Sequence, residues 1–144
     1  MFSKEEAAAL RQEFWTSFGK SFPRKWLLYN TKIKGISFKF VADRKKAMVC
    51  LDIDHSEEIS NEILYHQLLS LKAILTNEYF PDVIFDPSYE LENGKIIHRI
   101  YINHTEKFSI YNKDTWRACY EFYMKTMPKF EQFFYEYEDI INCI

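Results

Sequence analysis

Glycine and proline are scarce in this chain, three and four among 144 residues. That scarcity excludes a flexible linker, a collagen-like repeat and a Gly/Pro-rich disordered segment. Cysteine is rarer than a disulfide framework or a zinc site demands, and Cys50, Cys119 and Cys143 are scattered along the chain. No apolar run approaches the roughly 20 residues that cross a bilayer, and no signal-peptide pattern opens the chain. No membrane partner is expected, and the expected location is a reducing cytoplasm. A Gly-rich phosphate loop and a Gly-x-Ser-x-Gly elbow are both missing, so an enzyme finds little positive support.

What the chain has in abundance is aromatic side chains, 18% of its residues, with 13 Phe and 10 Tyr. Large rings between long regular elements imply a packed core. A chain of this length buries roughly 70% of the surface it would expose unfolded. One domain over residues 1–144 is expected.

Ser3 and Glu6 form a capping-box pattern, and Leu10, Phe14 and Phe18 then recur every fourth residue, predicting a helix over about 4–18 that ends at Gly19 before Pro23. Period-two alternation from Ile36 and again from Ala47 predicts a hairpin around the polar Asp43-Arg44-Lys45 tip. Pairing residues 41 and 46 puts Ile36, Phe38, Phe40, Val49 and Leu51 on one face, with Ser37, Lys39, Met48, Cys50 and Asp52 on the other. Helices are expected on the apolar face only. Residues 57–80 read as a second helix with Leu64, Leu68, Leu71 and Leu75 as its buried stripe, ended by Pro81. Asn93-Gly94 predicts a two-residue turn that pairs Leu91 with Ile96 and Tyr89 with His98. Asn112 opens a final helical region, which Pro128 should kink or split. The fold class is therefore α+β: a mainly antiparallel sheet of about four strands, as two hairpins, packed against three to four helices.

Charge is distributed unevenly. Residues 1–50 carry 11 Lys/Arg against 4 Asp/Glu, whereas 51–144 carry 8 against 17. Arg24, Lys25, Lys32, Lys34, Lys39, Arg44, Lys45 and Lys46, with Trp26 among them, suit an anionic ligand: cations meet phosphates, and exposed rings stack on bases. The bland alternative is a solubilising edge with Trp26 in the core.

Other chemistry is thinner. Asp52 and Asp54 alternate to the same side and offer oxygens to a divalent metal, although Asp54 or Ser56 as a helix cap explains the acidic run better. Pro81-Asp82 with Glu92 and Lys95 resembles a restriction-nuclease arrangement in composition, but the last two flank the Asn-Gly turn and suit a cross-strand ion pair. His98 falls on an apolar strand face as a core histidine. Cys119 reads as a packing residue. Phe133 and Tyr135 extend the last helix's aromatic surface beyond one buried face, offering a surface for a homodimer or protein partner.

The segments Lys25–Phe40, Asp43–Ala47 and Leu51–Ile53, together with Leu91–Lys95, Arg99–Tyr101 and Phe130–Phe134, resemble the bacterial family of unknown function numbered 4268 over nearly the whole chain. The resemblance implies a self-contained bacterial domain, found alone or at the C-terminal end of longer proteins whose leading part is nuclease-like. It implies no activity, cofactor or catalytic residue, and a nucleic-acid association only by analogy.

The leading expectation is a non-enzymatic binding module that meets a polyanion, nucleic acid among them, through its basic first third and without a cofactor. The alternative is a protein-interaction or homodimerisation domain using the C-terminal aromatics. A metal-dependent hydrolase using Asp52 and Asp54 comes third.

Overall fold

The computed structural model of the protein describes residues 2–142. Cys143 lies outside the described residues. Helix α1 (Lys4–Ser21) precedes strands β1 (Ile36–Ala42) and β2 (Ala47–Ile53). Helix α2 (Glu58–Ser70) leads to a short α3 (Lys72–Ile74) that widens into a π-helical turn over Leu75–Tyr79. Strands β3 (Ile84–Glu90) and β4 (Ile96–Asn103) follow, and helix α4 (Trp116–Ile141) ends the fold. The strands form one antiparallel sheet in the order β1-β2-β4-β3, which is the expected α+β arrangement. No helix among the described residues is long and apolar enough to cross a membrane.

The capping box at α1 forms as expected, with Ser3 Oγ accepting from the Glu6 N–H and Glu6 Oε1 from the Ser3 N–H, both at 3.1 Å. The helix does not stop at Gly19. It runs on to Ser21, because Phe18 and Phe22 share a cluster with Tyr120 that favours another turn of helix over an early exit.

The first hairpin forms with its register displaced by two residues from the expected one, Phe40 facing Val49, Phe38 facing Leu51 and Ile36 facing Ile53. A displacement of two preserves which side chains share a face, whereas one residue would have inverted it. The apolar face therefore survives. Phe38 packs on Phe130 and Phe134, and Phe40 on Tyr123, so α4 lies across it.

The other face is closed to solvent along β2. Met48, Cys50 and Asp52 are buried there, and Asp52 receives two hydrogen bonds from Arg99, at 2.7 and 2.9 Å. The Tyr89 ring lies 4.4 Å from the Arg99 guanidinium carbon, and its hydroxyl accepts from Lys46 Nζ at 3.2 Å. A register shift in β3 between Asp86 and Tyr89 accompanies this placement, for Tyr89 stands opposite Ile97 rather than His98. The second turn also differs. Leu91 N–H donates to Lys95 O, and only Gly94, at φ 87°, is left-handed there, so the loop spans three residues instead of two.

The leucine stripe of α2 and its continuation is buried as expected. Neither Asp54 nor Ser56 caps α2. The N-cap is Glu57, while His55 Nδ1 accepts from the Glu57 N–H and Asn61 Oδ1 from the His55 N–H. Asn112 caps a 3-10 turn over Lys113–Thr115 that leads into α4. Helix α4 continues through Pro128 as one element. Tyr123 and Met127 on one side of the proline, and Phe130 and Phe134 on the other, are buried. Their packing offsets the roughly 3 kcal/mol that an interior proline costs.

Candidate anion-binding groove

The tip between β1 and β2 is organised by Asp43, whose Oδ1 accepts from the backbone N–H groups of Lys45 and Lys46 at 2.7 and 2.8 Å. Its backbone carbonyl accepts from Ile110 N–H at 3.0 Å, which holds the segment after β4 beside the tip. Arg11, on α1, donates to the hydroxyl of the neighbouring Tyr111 at 2.7 Å. The result is an open groove of about 860 Å³, with Arg11, Arg44, Lys45, Lys46, Glu92 and Tyr111 in its wall. All four cations are exposed.

The electrostatics favour an anion. The wall sets four cations against two carboxylates, Asp43 and Glu92, and the Asp43 carboxylate is already engaged by two backbone donors. The Lys46 ammonium is pushed above its ordinary range, chiefly by its hydrogen bond to Tyr89, against the opposing effect of partial burial, and it is charged at neutral pH. Two arginines supply planar donor forks and two lysines supply mobile point charges, the mixture that phosphate or carboxylate groups attract.

The basic residues singled out in the sequence do not all converge. Arg44, Lys45 and Lys46 share the groove. Lys32 and Lys34 precede β1 at its other end, and seven extended residues between them and the tip span roughly 23 Å. Lys39 lies 3.4 Å from Asp52 on the second sheet face. Arg24 pairs with the buried Glu131 of α4 and stands over the Trp26 ring. Trp26 itself is half-buried and packs against Phe18 and Phe40, away from the tip groove. Lys25 is exposed and borders a separate depression with Arg24 and Trp26.

Asp52 and Asp54 are each matched by a cation, Arg99 and Lys95 respectively, and the described residues contain no group of three or more His, Cys, Asp or Glu able to hold a metal. Lys95 thus pairs with Asp54 instead of the expected Glu92, because the wider loop turns Glu92 into the groove. Phe133 is fully buried between Tyr79 and Tyr137, which removes it from any interaction surface. Tyr135 is 59% exposed. Cys50 and Cys119 are buried, and burial pushes the Cys119 thiol up to about 12, a poor nucleophile.

Sequence reasoning missed Arg11 and Tyr111, and it placed Glu92 in an ion pair with Lys95 instead of in a groove. For Arg11 a signal existed: it stands three residues before Phe14 and seven before Phe18, so a charge occupied the margin of a buried helical stripe. Tyr111 carried no such mark.

An α+β domain with a cationic groove at a hairpin tip is the class that fold and site define. The family described as domain of unknown function (DUF4268) matches residues 10–138, and the chain belongs to it. No curated protein and no solved structure matches the chain.

Proposed function

We propose that the protein is a non-enzymatic binding module that holds a polyanion in the groove at the β1–β2 tip. The observation that carries this reading is the meeting of Arg11, from α1, with Arg44, Lys45 and Lys46 around one concavity. Residues about thirty positions apart in the chain contribute to it, which a merely solubilising edge does not require. Contacts to phosphates of this kind give affinity with little sequence preference and a strong dependence on salt. Fluorescence anisotropy of a labelled oligonucleotide at low and physiological salt tests the reading. Binding that weakens with salt, and again in the folded Arg44→Gln/Lys45→Gln/Lys46→Gln variant, is expected. Binding indifferent to both, or none at low salt, overturns it.

A second reading, protein interaction or homodimerisation, is favoured by Tyr135, which lines a shallow surface on α4 with Pro128, Gln132 and Glu136. A monomeric mass at high concentration, unchanged in Tyr135→Ala, counts against it.

A further inference from the structure

Beyond its charge, the groove has two features that a bare polyanion does not use. Tyr111 forms part of the wall; its ring is half-buried, packs on the core at one side and lies 6.1 Å from that of Phe2, which is 49% exposed, so an aromatic surface borders the cations. The Tyr111 hydroxyl is held by Arg11, which fixes the ring beside a planar guanidinium. Glu92 is the second feature. A carboxylate without an ion pair among the described residues, sharing a wall with cations, repels a chain of phosphates, yet it accepts well from amino groups on base edges.

Cations, an adjoining ring and one free carboxylate suit a ligand that alternates anions with flat, hydrogen-bond-donating rings. Such a ligand must have its bases unpaired, because in a duplex their faces are stacked on each other and closed to Tyr111. We infer that the groove takes a single-stranded nucleic acid segment, with Arg44, Lys45 and Lys46 on its phosphates, Tyr111 against one base and Glu92 on a base edge. This rests on the polyanion reading above and names the chemical class of ligand within it.

The test measures the binding of labelled oligodeoxycytidylate by anisotropy, with a duplex of equal length and inorganic polyphosphate of equal charge as competitors. Expected is a preference for the single strand over both. In Tyr111→Leu the single strand should bind about 5- to 150-fold more weakly, the span set by stacking one base. Tyr111→Phe, which keeps the ring, should retain the single strand, and polyphosphate should bind wild type and both variants alike. Glu92→Ala should strengthen polyphosphate binding and weaken that of oligodeoxycytidylate. Equal competition by duplex or polyphosphate, or a Tyr111→Leu variant that binds the single strand as wild type does, overturns this inference alone. Failure of every polyanion to bind overturns it together with the reading beneath it.

Discussion

The ionisable residues of this protein divide into those consumed by the fold and those left for solvent. Asp52 is the clearest of the first kind: it is buried, hydrogen-bonded twice by Arg99 and approached by Lys39. Its replacement by Asn leaves a buried guanidinium without its counter-charge. Loss of about 3–5 kcal/mol is expected from denaturant unfolding, the cost of breaking a buried pair. His104 sets an acid-side dependence. Burial against Phe122 and Phe108 holds its imidazole below the ordinary value, with Glu106 opposing weakly. A histidine whose folded pKa is depressed takes up its proton more readily when unfolded, so stability is complete above about 6.5 and falls as pH drops through the window down to the folded value. Melting temperatures of wild type should therefore fall further between neutral pH and pH 5.5 than those of His104→Phe. An identical decline in both proteins would remove His104 from the account.

At the scale of elements, two glycines do opposite work. Gly35 enters β1 at φ 93°, its carbonyl accepts from Asp54 N–H at 2.7 Å, and a Cβ placed there would stand 2.8 Å from that of His55. Gly19 lies inside α1, and a Cβ there meets nothing within 4 Å. Gly35→Ala should destabilise by about 1–3 kcal/mol, the range for strained backbone. Gly19→Ala should stabilise by about 0.5–1 kcal/mol, since glycine weakens a helix interior. Chemical denaturation of the two variants measures both, and the same sign of change in each would contradict the structure. The elements themselves were readable because their signals are local: the Ser3–Glu6 box, the alternation from Ile36 and Ala47, and the leucines spaced along α2. The misread details, the extension past Gly19 and the wider loop at Gly94, were decided by packing between distant segments. Phe22 meets Tyr120 and Tyr89 meets Lys46 only in the folded chain.

Across the whole molecule, the charge imbalance of the sequence was legible, and its geometry was not. The basic run is divided by β1 into a tip and a far loop, with Lys39 and Arg24 spent on internal pairs. The groove is completed by Arg11 and Tyr111, which the hydrogen bond between Ile110 and Asp43 and the docking of α1 bring to the tip. The measurement that tests the groove most directly is the salt dependence of oligonucleotide binding in Arg44→Gln/Lys45→Gln beside Lys32→Gln/Lys34→Gln. The two variants remove equal charge from opposite ends of the strand. The tip variant should bind more weakly and lose about 0.7 of salt slope for each single-strand phosphate contact removed, while the far-loop variant keeps the wild-type slope. Equal effects from the two pairs would show attraction by overall charge, and the groove would not be the binding site.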